Sequence, residues 1–234
     1  MKFRSIHFLG LSSVLKPLII LQSLKRMKPS FFDEYNITYL TDSGEGKVVD
    51  YCTENNIRFQ TINHDNIIDS LSLIKQLEPE LLICLGWDKK VPESVLNSYM
   101  KCINCHGGLL PDYRGNRAYV SIFANIEDEY GPTIHYMTNK FDDGNIILQC
   151  PIKGFIEETP LIIHRRLSEL TSFILPEAIR LVEEGYEGIK QTGIARYFTG
   201  LDRESMDLLR NENIERIRHN MPKQIAPHKK WEVD

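Results

Sequence analysis

Leu81-Leu82-Ile83-Cys84-Leu85 is apolar at every position, and this run constrains the architecture more than any other. A strand with one face in water alternates apolar and polar side chains. A run with no alternation needs cover on both faces, as in the middle of a parallel sheet. Around it the chain alternates in type. Phe3 to Gly10 reads as a buried strand, followed by a helix from about Val14 to Met27 with Ser13 as N-cap and Pro17 in its first turn. Ile37 to Leu40 and Ile57 to Ile62 read as strands, and Lys47 to Asn55, Ile67 to Leu77 and Glu93 to Tyr99 as helices. A further strand starts at Lys101. This order implies right-handed βαβ units and an α/β fold built on an open, mostly parallel sheet. Ligands of such sheets bind beyond the carboxyl ends of the strands, which is where Gly86, His106 and Asp142 should gather.

The second half is less regular. Arg117 to Ile126 reads as helical, and Pro132 to Thr138 and Asn145 to Lys153 as two neighbouring strands joined through residues 139–144. An amphipathic helix runs from about Leu161 to Glu184 and stops at Gly185, with a kink or break expected at Pro176. From Lys190 the character changes. Ile194 to Phe198 reads as a short strand and Asp202 to Asn211 as a short polar helix capped by Asp202. The remainder is basic and poor in apolar residues. We therefore expect a catalytic domain over 1–189 and an extension over 190–234 that packs on it or on a second subunit.

The formal charge of −4 gives no general attraction for polyanions, so no nucleic-acid partner is expected. No apolar run approaches the roughly 20 residues of a membrane helix. Lys2, Arg4 and Ile6 to Leu11 faintly imitate a signal peptide, but Lys16 and Pro17 interrupt the apolar region. Five cysteines at irregular spacing do not suggest a disulfide framework, which favours a reducing cytoplasm. Cys102 and Cys105 lie three apart on a strand and point to opposite faces, so no metal site is expected there.

The chemistry concentrates in Asn104-Cys105-His106-Gly107-Gly108. Asn104 and His106 are two residues apart and share one face of their strand, with Cα atoms roughly 6.6–7 Å apart. A lone histidine is more often structural, but this one is followed by two glycines that leave the backbone open to a ligand. Asp142, in the turn Phe141-Asp142-Asp143-Gly144, adds a carboxylate. An amide, an imidazole and a carboxylate suit acyl transfer in which an amine attacks a formyl carbon. Asn104 can donate to the developing oxyanion, and His106 can handle the proton or also donate. The loop Gly86-Trp87-Asp88-Lys89-Lys90-Val91 can present backbone groups to a planar ligand, although Trp87 could equally be core. Thr133 and His135 share a strand face, and packing and function are equally open for them.

These residues resemble the folate-dependent formyltransferases. The elements Asn-x-His, Leu-Leu-Pro-x-Tyr-Arg-Gly and Asp-x-Gly fall on Asn104 and His106, Leu109 to Gly115, and Asp142 to Gly144. Gly107-Gly108 departs from the pair found in many relatives and removes side-chain help from that turn. The resemblance implies a Rossmann-like formyltransferase fold, 10-formyltetrahydrofolate as formyl donor, and Asn104, His106 and Asp142 as the catalytic trio. It places the pterin between Gly86, Trp87, Lys89 and Val91 on one side and Asn139 and Phe141 on the other. Among the branches, the nucleotide-sugar N-formyltransferases of surface glycan synthesis are the most similar, and their short extension often forms a homodimer. Glycinamide ribonucleotide and methionyl-tRNA formyltransferases and formyltetrahydrofolate hydrolases are the alternatives. Arg196, Arg216, Arg218 and Lys223 are the candidates for meeting a nucleotide diphosphate.

Overall fold

The structure is a computed structural model and describes residues 2–233. Five strands alternate with helices: β1 (Ser5–Gly10), β2 (Asn36–Thr41), β3 (Arg58–Thr61), β4 (Leu81–Gly86) and β5 (Lys101–His106). The helices between them are α1 (Leu15–Met27), α2 (Phe31–Glu34), α3 (Lys47–Glu54), α4 (Leu71–Gln76, entered through a 3-10 turn at Ile67–Ser70) and α5 (Glu93–Leu96). Then come α6 (Ala118–Asn125), β6 (Glu129–Tyr130), β7 (Thr133–Tyr136), β8 (Ile146–Gln149), β9 (Ile152–Lys153) and α7 (Pro160–Glu183). The chain closes with β10 (Gly193–Phe198), α8 (Arg203–Arg218) and β11 (His228–Val233). Seven strands form one sheet in the order β3-β2-β1-β4-β5-β7-β8. The first five are parallel, and β7 and β8 are antiparallel.

The apolar run is β4, the central strand of the seven and covered on both faces as expected. Leu81, Ile83 and Leu85 join the core that also holds Ile20 and Leu24 of α1 and Leu175 and Ile179 of α7. Leu82 faces the opposite core with Val91, Val95 and Cys102. Cys102 and Cys105 of β5 likewise enter opposite cores. Because β2 and β4 lie on either side of β1, the strand order reverses there, and a crevice opens at the carboxyl ends of β1 and β4.

Several expectations are corrected. Ser13 is not the cap of α1: Val14 occupies that position with no side-chain hydrogen bond. Pro17 is the third residue of the helix and has no N–H, so a capping oxygen would lack one of its usual donors. Pro176 does not break α7, which runs unbroken from Pro160 to Glu183. Leu175, Ala178 and Ile179 beside it are fully buried, and this packing outweighs the ladder bond that proline removes. Gly185 ends the helix as expected, at φ +84°, with the Tyr186 N–H returning to Leu181 O. The strand expected from Asn145 to Lys153 is divided, since β9 leaves the main sheet to pair with β6.

The tail is more structured than its composition suggests. α8 extends to Arg218, with Asp202 as its cap, and β11 pairs antiparallel with β10. Its contacts with α6 are largely polar: the Arg210 guanidinium lies 3.8 Å from the Phe123 ring centroid and donates to Phe123 O, and Asn213 donates to Ala124 O. Among the described residues no helix is long and apolar enough to cross a membrane.

His7, on β1, is 1% exposed and sits between the Tyr99 hydroxyl (2.9 Å) and Leu77 O (3.2 Å). Burial pushes its pKa down to about 4, against the pull of the Leu77 carbonyl. The unfolded chain therefore binds a proton below about pH 6.5 that the folded protein refuses until about pH 4. Stability should fall as pH drops through this window, by roughly 3 kcal/mol from His7 alone. Urea unfolding at pH 7 and pH 4.5 measures it, and His7→Gln should flatten the dependence.

Candidate active site

β5 carries Asn104 and His106 to its carboxyl end, side by side on one face. β7 runs antiparallel to it, with His135 opposite Asn104 and Thr133 opposite His106. Asp142 lies in the connection from β7 to β8 at φ +50°, a left-handed conformation that aspartate tolerates better than most residues. Its Oδ2 accepts the Gly115 N–H at 2.8 Å and its Oδ1 accepts the Asn104 amide at 3.3 Å. The same Oδ1 lies 3.4 Å from His106 Nδ1 and 3.6 Å from His135 Nε2. The three expected groups thus converge on one carboxylate oxygen.

Their hydrogen bonds define the tautomers. His106 Nε2 donates to Tyr113 O, so the neutral ring has a bare Nδ1 turned towards Asp142. His135 Nδ1 donates to Tyr136 O at 2.8 Å, leaving Nε2 to accept the Asn104 amide at 3.1 Å. Burial lowers the pKa of His106, and Asp142 only partly offsets this. Burial would raise the carboxyl of Asp142, but the His106 charge, His135 and the Gly115 N–H outweigh it and hold the group well below the usual carboxylate range. At neutral pH the pair is a neutral imidazole beside an ionised carboxylate. Such an imidazole can take a proton, and the carboxylate stabilises the resulting cation.

The Asp142 turn is braced from both sides. Arg114, 2% exposed, donates to Asp143 Oδ1 at 2.7 Å and to Gln191 Oε1 at 2.7 and 3.2 Å. Gln191 in turn donates to Asp142 O at 3.0 Å and Gly144 O at 2.8 Å. Gly144 cannot carry a side chain, because a Cβ would stand 1.9 Å from Tyr136 O. Arg114 belongs to the Leu-Leu-Pro-x-Tyr-Arg-Gly element, which thereby positions the turn that supplies the carboxylate.

A cavity of about 460 Å³ opens over the three groups. Gly86, Trp87, Lys89 and Val91 line one side, and Thr138, Lys140 and Phe141 another. Asn139 lies outside the lining. Trp87 both lines the cavity and packs on the core, with its ring edge-on to His64 at 4.9 Å. A Cβ on Gly107 would meet nothing within 4 Å, so the floor beside His106 is open.

Sequence reasoning left His135 undecided, and the structure separates it from Thr133. Thr133 is structural: its hydroxyl donates to Gly108 O and accepts Leu110 N–H, fixing the turn after β5. His135 belongs to the site, and the antiparallel register of β5 and β7 was the missing signal. Lys16, Tyr119, His164 and Ser168 also line the cavity and were not anticipated. The four cations expected to meet a diphosphate are engaged elsewhere. Arg196 pairs with Asp112, Arg216 donates to Pro222 O, Arg218 pairs with Glu215, and Lys223 donates to Ile126 O and pairs with Asp128. None of them lines the cavity, because the folding of the tail supplies each with a nearby oxygen. Lys16, Lys89, Lys90, Arg117 and Lys140 line it instead.

Comparison with known proteins places the chain in a family and shows a shared fold. Residues 40–179 match the formyl transferase family model, more than half of the chain. The methionyl-tRNA formyltransferase of Staphylococcus epidermidis is 31% identical over 166 residues, 70% of this chain and 52% of that protein. That of Borreliella afzelii is 35% identical over 128 residues, 54% of this chain and 40% of that protein. The chain thus spans about half or less of these relatives. Among solved structures, a sugar N-formyltransferase from a Shewanella species superposes with a TM-score of 0.66 at 23% identity, covering 88% of this chain and 87% of that one. Glycinamide ribonucleotide transformylase 1 from Symbiobacterium toebii gives 0.69 at 19% identity, with 81% and 94% covered. An N-formyltransferase from Helicobacter canadensis, in complex with folinic acid and dTDP-3-aminofucose, gives 0.62 at 21%, with 87% and 72% covered. These superpositions show a shared fold.

Proposed function

Because the chain belongs to the folate-dependent formyl transferase family, we propose that it moves a formyl group from 10-formyltetrahydrofolate to the amine of a nucleotide-linked amino-dideoxy sugar. The donor class is that of the family, and one fold relative binds folinic acid. The observation that carries the catalytic reading is the convergence of Asn104, His106 and Asp142 at the cavity floor, with one Asp142 oxygen 3.3 Å from the Asn104 amide and 3.4 Å from His106 Nδ1.

The cavity suits the donor. Val91, Trp87, Met137 and Phe141 give it apolar walls for a flat ring, and Gly107 leaves space beside the polar floor. Gly86, Trp87, Lys89, Val91 and Phe141 would hold the pterin, with Asn139 contributing at most from outside the lining. When bound, the donor supplies an electrophilic formyl carbon. The incoming amine must be neutral to attack. His106, neutral and bare at Nδ1, accepts the proton that the amine loses, and Asp142 stabilises the imidazolium. Asn104, whose amide donates to His135 and Asp142 in the unliganded site, would donate to the formyl oxygen as charge develops on it.

The sugar acceptor is favoured by coverage. The two sugar-type enzymes superpose on 88% and 87% of this chain, against 81% for the Symbiobacterium transformylase, and the difference suits the extension after Lys190. We assign residues 1–189 to catalysis and 190–234 to an extension serving the acceptor side and a homodimer. Ile194, Leu208 and Met221 are exposed there and suit a subunit contact. A second reading, formylation of methionyl-tRNA, draws on the 31–35% sequence identity to those enzymes. Release of tetrahydrofolate decides. It should require a nucleotide-linked amino sugar and be absent with glycinamide ribonucleotide, methionyl-tRNA or no amine. Release without any amine would make the protein a hydrolase, and none with any amine would make it a binder.

A further inference from the structure

The cavity has two walls of different kinds. Trp87, Val91 and Met137 belong to the layer that Leu82 and Cys102 enter, and they form the side given above to the donor. The other side is built by α7, whose Leu175 and Ile179 pack on the opposite face of the sheet, and by the start of α6. His164 and Leu167 of α7, Tyr119 of α6 and Tyr197 of β10 line it. Formyl transfer brings two reactants to one floor, so an acceptor entering beside the donor meets this second wall.

The polar groups of the second wall are uncommitted. Among the described residues, neither ring nitrogen of His164 and neither hydroxyl of Tyr119 and Tyr197 has a hydrogen-bond partner. All of these atoms are open to a ligand, unlike Trp87 Nε1, which is also without a partner but is sealed inside the protein. His164 stands edge-on to Tyr119, with ring centroids 4.7 Å apart, and this contact holds its plane. Burial pushes its pKa down to about 4, with a smaller push from the neighbouring Lys16, so the ring is neutral at neutral pH. A neutral imidazole carries one donor and one acceptor. That pair matches a hydroxyl, which both gives and takes a hydrogen bond. It suits a phosphate oxygen poorly, because only the donor can be used and no charge assists it. Leu167 and the tyrosine rings supply apolar contact for the deoxygenated carbons of a sugar ring. Arg117, next to the start of α6, lines the cavity, is exposed and has no ion pair among the described residues, so it can meet a diphosphate further out.

We propose that His164 is a specificity-determining residue that hydrogen-bonds a ring hydroxyl of the acceptor sugar and so sets the sugar amine over the floor. This rests on the sugar-transfer reading above. The chemistry stays with Asn104, His106 and Asp142, and no proton passes to His164. The N-terminal turns of α7 thereby select the acceptor, while its later turns cover the sheet.

The test uses the full chain with His164→Phe and His164→Gln, read by steady-state transfer to nucleotide-linked amino-dideoxy sugars, folinic acid affinity and melting temperature. Phenylalanine keeps the edge contact with Tyr119 and removes both ring nitrogens. It should raise the acceptor KM about 10–50-fold, with kcat and folinic acid affinity within about threefold of wild type. His164→Gln again offers a donor and an acceptor and should recover most of the loss. Acceptor analogues with each ring hydroxyl replaced in turn by hydrogen complete the comparison. One of them should be a poor acceptor for wild type by a similar factor, and equal to its parent sugar for His164→Phe. An acceptor KM within about threefold of wild type in His164→Phe would overturn the proposal. So would a loss confined to kcat, which would make His164 part of the chemistry, or a loss of folinic acid affinity, which would put it on the donor side. A melting temperature lowered by more than about 5 °C in both variants would make the residue structural and overturn it too. Wild-type protein that formylates no amino sugar would refute the sugar-transfer reading and this role with it. An active wild type with an unaffected His164→Phe refutes the role of His164 alone.

Discussion

His106→Ala should lower formyl transfer about 10²–10⁴-fold, equivalent to roughly 3–5 kcal/mol of barrier. The bare Nδ1 that accepts the amine proton disappears, and Asp142 is left ionised with no imidazolium to stabilise. Stability should fall too, since the ring is 6% exposed and donates to Tyr113 O. Losing that bond and leaving a void costs about 1–3 kcal/mol, so the rates belong well below the melting temperature. Asp142→Asn separates the two effects. It keeps the turn's shape and an acceptor for the Gly115 N–H while removing the charge. It should lose turnover on the same scale with a smaller stability change, read by single-turnover kinetics and urea unfolding. His106→Ala with near-native turnover would remove the mechanism.

Arg114→Met should be the most damaging substitution outside the converging trio. The guanidinium holds Asp143 and Gln191 at once, in a site 2% exposed. Removing it leaves Asp143 with Lys140 alone and the buried Gln191 carboxamide oxygen without its donors, which costs about 2–4 kcal/mol. Gln191 would then hold the Asp142 and Gly144 carbonyls less firmly, so turnover should fall as well. Arg114→Lys should recover little, because an ammonium cannot reproduce the fork that reaches both partners. Urea unfolding with kinetics on the same samples checks this. An Arg114→Met protein of unchanged stability and turnover would show that the turn holds itself.

The sheet was legible because its signals are local. The unbroken apolar run of β4 demanded two covered faces, and the alternation before it left few topologies. Asn104 and His106 were legible because a strand's period of two places them together. What stayed hidden depends on partners distant in sequence. His135 joins the site through the register of β5 and β7, which no residue of β7 encodes alone. Lys16 reaches the floor from α1, 89 positions from the carbonyl it meets. The end of the tail was read as basic and poor in apolar residues because the tail docks through polar groups such as Arg210 and Asn213, which hydrophobic patterning does not register. Arg196 and Lys223 looked free for the same reason: Asp112 and Asp128 are remote in sequence and adjacent in the fold.

Product analysis is the most direct test of the central claim. Purified full-length protein is incubated with 10-formyltetrahydrofolate and an equimolar mixture of nucleotide-linked amino-dideoxy sugars, glycinamide ribonucleotide and methionyl-tRNA, and each acceptor is examined by mass spectrometry. The account predicts one added formyl group on a sugar amine, formed with stoichiometric tetrahydrofolate and suppressed in Asp142→Asn. Formyl groups appearing on methionyl-tRNA while every amino sugar stays unmodified would contradict it.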